Sequence, residues 1–89
     1  MENKSHFFQL YYQQYSGLVY NIALSYVQNI EDAEEVVQDV FIQVYSKLDQ
    51  FKNNSSIKTW IYRIAINKSL DFIKHKKSKK FEFVFGKKS

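Results

Sequence analysis

The sequence predicts an all-α protein: a compact bundle of three main helices, about residues 5–28, 31–48 and 56–76, with a functional loop at 49–55. Three observations predict it. Among 89 residues there is no Pro and there are only two Gly, Gly17 and Gly86, so obligatory turns are few. Apolar residues recur every three or four positions through most of the chain, the spacing of a helix face. The single cluster of turn-forming polar residues between periodic segments is Asp49-Gln-Phe-Lys-Asn-Asn-Ser-Ser56. A chain of this length buries only about 60–65% of the surface its unfolded form exposes, so one small core is expected and a large catalytic cleft is not.

The first helix rests on Phe7, Tyr11, Tyr15, Leu18, Ile22 and Tyr26 between Ser5 and Val27. Gly17 interrupts it at a cost of about 1 kcal/mol relative to Ala, which permits a bend or a close approach by another helix. Asn29 suits the left-handed position that ends a helix, and Ile30-Glu31-Asp32 restarts one with acids in its first turn. The second helix buries Ala33, Val36, Val37, Val40, Phe41, Val44 and Leu48. Ser55 is placed to cap the third. That third helix is apolar almost all round: Ile57, Ile61, Ile64, Ala65 and Phe72 on one side, Tyr62, Ile66, Leu70 and Ile73 over much of the rest. Such a helix is packed from two directions. Beyond it lie a basic run and then Phe81-Glu-Phe-Val-Phe85, whose alternation is strand-like but has no partner strand. Residues 1–77 read as one helical domain and 78–89 as a basic linker or docking tail.

The net charge of +4 conceals a division. Met1 to Ser46 holds one Lys and six acids, a net −5, whereas Lys47 to Ser89 holds 12 Lys or Arg and three acids, a net +9. Either helix termini simply prefer these charges, or the halves serve different partners, nucleic acid on the basic side and a basic protein surface on the acidic one. Without Cys, a disulfide scaffold, a thiol nucleophile and a cysteine zinc site are excluded, and a cytoplasmic location fits. The longest wholly apolar run is three residues, so no membrane insertion and no signal peptide are expected. His6 and His75 lie near opposite ends of the helical region and no His accompanies the carboxylates of the second helix. No enzyme, no metal site and no cofactor are expected.

Two helix faces carry the functional reading. Opposite the apolar stripe of the second helix stand Glu35, Gln38, Asp39, Ile42 and Ser46. Ile42 is a large apolar side chain centred on a polar face. It is either one of the single exposed apolar residues that any protein tolerates or an anchor in a helix-mediated interface with a polar rim. The third helix leaves one narrow polar stripe, Trp60, Arg63, Asn67, Asp71 and Lys74. Cations neutralise phosphates, an amide reads a base edge and Trp stacks on an unpaired base for about 1–3 kcal/mol. Phe51, Lys52, Asn53, Asn54 and Ser55 could line a pocket for a base lifted from the stack, with Lys58 beside them. The plainer alternative makes Trp60 a core residue and the loop a solvated turn.

The blocks Asp32-Ala-Glu-Glu-Val-Val-Gln-Asp-Val-Phe41, Lys47-Leu-Asp-Gln-Phe51 and Thr59-Trp-Ile-Tyr-Arg-Ile-Ala-Ile-Asn67 closely resemble region 2 of bacterial sigma factors of the extracytoplasmic-function group, sigma-70 family, over about residues 6–77. The resemblance implies that the acidic helix docks on the clamp helices of the beta-prime subunit of core RNA polymerase, through Asp32, Glu35, Gln38, Asp39 and Ile42. It also implies that the next helix and the loop before it recognise and melt the minus-ten promoter element and hold non-template DNA as single strand. Phe51, Lys52, Asn53, Asn54 and Ser55 would then capture a flipped base, with Trp60, Arg63 and Asn67 on the helix that meets the junction of duplex and single strand; Lys58 beside the loop and Lys74 on the stripe join the DNA-binding set by their placement. Many relatives carry Gly or an acid where Asn53 and Asn54 stand, which leaves the preferred base open. Members of the group are often held by an anti-sigma factor, an additional partner. They also continue into a helix-turn-helix domain, so the chain reads as a fragment ending in the inter-domain linker or as one that works without that contact; its abrupt basic end favours the fragment. A helical protein-interaction module and a non-specific single-strand binder are the alternative functions.

Overall fold

The computed structural model describes the backbone of residues 2–51 and 56–85 and the side chains of residues 3–51 and 56–76. Helix α1 spans Glu2–Val27 and α2 spans Ile30–Lys47; a short 3-10 turn, Leu48–Gln50, follows, and α3 spans Ile57–Phe85. Each helix packs on both others. The all-α three-helix bundle is therefore as the sequence predicts.

The α1–α2 corner differs in one position from the expectation. Gln28, not Asn29, takes the left-handed conformation, with φ 57°, and its N–H donates to the Leu24 carbonyl at 2.8 Å. Asn29 is extended and starts α2: its Oδ1 accepts from the Asp32 N–H at 2.9 Å. The side-chain oxygen of Asn satisfies a free N–H of the first turn, and Gln, with one more methylene, is the poorer cap. That demand places Asn29 at the cap and leaves the strained position to Gln28.

The α3 start shows the same chemistry one residue later than expected. Ser56 is the cap, its Oγ accepting from the Thr59 N–H at 3.0 Å and donating to Thr59 Oγ1 at 2.9 Å. The expected cap Ser55 lies outside the described residues. At its other end α3 continues past Lys76 to Phe85, so residues 81–85 are helical rather than strand-like. A five-residue alternation with no second strand to pair with leaves its N–H and C=O groups unsatisfied, whereas continuing a formed helix satisfies them within the segment.

The core consists of Val19 and Ala23 from α1, Ala33, Val36, Val40, Phe41 and Val44 from α2, and Ile61, Ile64 and Ala65 from α3. On α2 the expected stripe holds, with Val37 and Leu48 half-buried at its margins. On α1 the stripe is rotated: Phe7 and Tyr26 are exposed, whereas Val19 and Ala23 are fully buried and Phe8, Tyr11, Tyr15 and Ile22 pack around them. Small side chains at the helix crossing let the backbones approach, and the larger aromatics fill the flanks. On α3, Tyr62 and Leu70 are 44% and 49% exposed, so the helix is less fully enclosed than its composition implies. The one buried polar side chain among the described residues, Ser69, donates to the Ala65 carbonyl at 2.8 Å and so satisfies itself within the helix.

Gly17 is not approached closely by another helix of the bundle. A Cβ built there meets no other atom within 4 Å, so no neighbouring helix of the bundle requires the missing side chain. The helix accepts a penalty of about 1 kcal/mol relative to Ala with no packing gain inside the domain.

Candidate functional site

The outward face of α2 meets α1 to form an open groove. Glu35, Gln38, Asp39 and Ile42 line it from α2, as the sequence places them together. Ile42 is 63% exposed, the most exposed of the large apolar side chains in the described part. The α1 wall is aromatic: Phe8, Tyr12 and Tyr20 face the groove, with Ser16 and Gly17 between the two tyrosines. Across from them stand Phe41 and Tyr45 of α2. These rings lock edge to face, Tyr12 on Phe41 at 4.9 Å between centroids and 72°, and Phe8 on Tyr45 at 5.1 Å and 85°. Such pairs contribute about 0.5–1.5 kcal/mol beyond area burial and hold the wall rigid.

The groove's described lining contains three carboxylates, Glu34, Glu35 and Asp39, and no Lys or Arg. At its Tyr45 end Lys4 lies over the tyrosine ring, 4.4 Å from the centroid, and is paired with Asp49 at 3.2 Å. Asp32, grouped with the docking face on sequence grounds, stands apart. Its side chain is 18% exposed, accepts a 2.5 Å hydrogen bond from Lys76 Nζ of α3 and does not line the groove.

Reading α2 alone misses Phe8, Tyr12, Tyr20 and Tyr45. The signal for the first three was present: with Ser16 they recur at every fourth residue, a second α1 face beside the Phe7-Tyr11-Tyr15 face.

On α3 the sequence-predicted stripe is real but uneven. Lys58, Arg63, Asn67 and Lys74 are exposed, whereas Trp60 is half-buried and packs on the core. Phe51 stands 5.0 Å from Trp60, tilted by 36°, so it covers part of the indole. Trp60 thus packs on the core, as the plainer alternative has it, and keeps part of its surface exposed. Asn67 and Lys74, with Asp71, line a second, smaller groove whose far side is Gln43 of α2. Lys52, Asn53, Asn54 and Ser55 lie outside the described residues.

The sigma-70 region 2 model matches residues 11–79, which takes in the whole of α2, the Trp60 stripe and most of α1. The chain belongs to the sigma-70 region 2 family. Its similar relatives include sigma factors of the extracytoplasmic-function group. The ECF RNA polymerase sigma factor SigW of Bacillus subtilis is 36% identical over 63 residues, covering 71% of this chain and 34% of SigW. The ECF RNA polymerase sigma-E factor of Escherichia coli is 36% identical over 66 residues, covering 74% of this chain and 34% of the relative. The RNA polymerase sigma-H factor of Pseudomonas aeruginosa is 35% identical over 60 residues, 67% of this chain and 31% of that one. This region 2 chain therefore spans about a third of the length of the curated relatives it matches. No solved structure matches it significantly. Among the described residues no helix is long and apolar enough to cross a membrane, and no group of three His, Asp or Glu is placed to hold a metal ion.

Proposed function

We propose that this region 2 chain acts in transcription initiation as a binding element, docking on core RNA polymerase through the α1–α2 groove and engaging the minus-ten promoter element through α3 and the loop before it. The observation that carries the docking half is Ile42, exposed at the centre of a groove whose rim is Glu35, Gln38 and Asp39. An apolar anchor inside a polar rim is the composition of a protein interface. The group's relatives bear the words RNA polymerase in their names. Docking there is read as contact with the clamp helices of the beta-prime subunit, and Asp32, tied to Lys76, is read as a brace rather than a contact.

The DNA half rests on chemistry. Lys58, Arg63 and Lys74 point outward for phosphates, Asn67 for a base edge, and Trp60 and Phe51 form an aromatic pair at the mouth of the 49–55 loop. Unstacking a base costs a few kcal/mol, and stacking of the exposed base on aromatics offsets it by about 1–3 kcal/mol per base. Melting in this reading is driven by binding alone, with no covalent step. The test is co-elution of the chain with core RNA polymerase on gel filtration, lost for Asp39→Arg. Absence of co-elution for the wild type would sink the docking half. Trp60 is the only Trp, and unchanged fluorescence on titrating single-stranded non-template promoter DNA at low salt, where phosphate contacts are strongest, would sink the DNA half.

A second reading has one observation behind it: Tyr62 and Leu70 are exposed apolar side chains on α3, suited to a regulator such as an anti-sigma factor. It is separated from the first by Leu70→Ser, which should release the regulator and leave polymerase co-elution intact.

A further inference from the structure

The floor of the α1–α2 groove holds a feature that the fold itself leaves unused. Gly17 is exposed, lies mid-helix in α1, and a Cβ there would meet open space within 4 Å. Ser16 and Gly17 sit between Tyr12 and Tyr20, so bare backbone is flanked by an aromatic ring on each side, with Ile42 lining the same groove from α2. A glycine with no neighbour inside its own molecule, set in the floor of an acid-rimmed groove, suits close approach of another backbone.

We infer that Gly17 is a partner-contact position: a basic amphipathic helix of the docking partner lies in the groove with its backbone against α1 at Gly17, its apolar side on Ile42 and its Lys or Arg side chains on Glu34, Glu35 and Asp39. The inference rests on the groove being the polymerase-docking surface. Charge complementarity commits the occupant. The described lining has three carboxylates and no Lys or Arg, and Lys4 at the Tyr45 end is engaged by Asp49, so an acidic or neutral helix would leave the rim carboxylates without partners. A helix suits the groove better than an extended strand because α1 and α2 offer it only side chains and a helical backbone whose N–H and C=O groups are already bonded, so no free ladder is present for strand addition.

The consequence is an unusual separation of stability from binding. Gly17→Ala should raise the melting temperature by several degrees, since Ala is the better helix former and the Cβ has room. The same methyl group should weaken association with core RNA polymerase by about twofold to fivefold, and the larger Gly17→Leu by about tenfold or more. Both variants are measured in the full chain by affinity for core polymerase and by thermal melting, with Asp39→Arg beside them. Weaker binding by both Gly17 variants, with Gly17→Ala melting at or above wild type, supports the inference. If Asp39→Arg loses binding while Gly17→Ala and Gly17→Leu bind as wild type does, the inference is overturned and the groove reading stands. If all three variants bind as wild type does, the groove reading falls and the inference with it. Should Gly17→Leu melt lower, the Gly17→Ala result alone decides: wild-type affinity overturns the inference, reduced affinity supports it.

Discussion

Truncating Ile42 to Ala removes a side chain that is 63% exposed and outside the buried core. Complete burial of an Ile contributes about 1.5–3 kcal/mol, so the part still facing water corresponds to about 1–2 kcal/mol that only a docked partner can recover. At about 1.4 kcal/mol per tenfold, Ile42→Ala should bind core RNA polymerase about 5- to 30-fold more weakly. The fold should hardly respond. Substitutions away from buried contacts usually fall within about 0.5 kcal/mol, and Ala is the better helix former, so melting should stay level or rise slightly. The assay pairs titration of labelled protein with core polymerase, read by fluorescence anisotropy, with thermal melting followed by far-UV circular dichroism. Affinity within about twofold of wild type would refute the anchor role, because it would mean that no partner covers the side chain. A fall in melting temperature beyond about 8 °C, more than 1 kcal/mol in a domain this small, would refute it differently, by making Ile42 a structural residue.

Two further outcomes test the fold. Ile61 is fully buried where α3 meets the core, so Ile61→Ala should cost about 2–5 kcal/mol and lower the melting temperature by about 10 °C or more, checked by calorimetry. Asn29→Ala removes the side-chain oxygen that accepts from the Asp32 N–H at the start of α2 and should cost about 1 kcal/mol, while Asn29→Ser should retain most of it; equal melting of the Ala and Ser variants would contradict the cap assignment.

How much of this was legible in the sequence varied by helix, for physical reasons. Helix α2 is the clear case, because Val36, Val40 and Val44 recur at every fourth residue and charges fill the opposite side, so both its core stripe and its outward face follow from spacing. Helix α1 is ambiguous because it carries two adjacent aromatic faces, one through Phe7, Tyr11 and Tyr15 and one through Phe8, Tyr12 and Tyr20. Residue size favours neither. What decides is the crossing with α2 and α3, which demands small residues at its centre, and Val19 and Ala23 supply them. The corner residues Gln28 and Asn29 are decided in the same way by a nonlocal count, since the Asp32 N–H needs an acceptor and only one of the two side chains has the right length to return to it. The groove was half visible. One wall of a groove is written on one helix, but the second wall appears only when α1 is set against α2.

The groove and the Trp60 end of α3 are linked by a short path that neither helix reveals alone. Tyr45 closes the groove at one end, and Lys4 of α1 lies over its ring while pairing with Asp49 in the 3-10 turn. Two residues beyond Asp49 in the chain, Phe51 meets Trp60 at the start of α3. Thus the α1 terminus braces the very turn that delivers the chain to the 49–55 loop. The brace is weak. Asp49 is 72% exposed, so solvent screening holds the ion pair to a fraction of about 1 kcal/mol, and an exposed cation on a tyrosine ring adds about 0.5–1 kcal/mol. Contributions of that size do not decide whether the bundle folds, which rests on the buried apolar cluster, but they are enough to bias the direction in which a short segment leaves a helix. A partner seated against Tyr45 would touch the same ring that Lys4 uses, so its contact would bear on the turn through Lys4 and Asp49 rather than through the core.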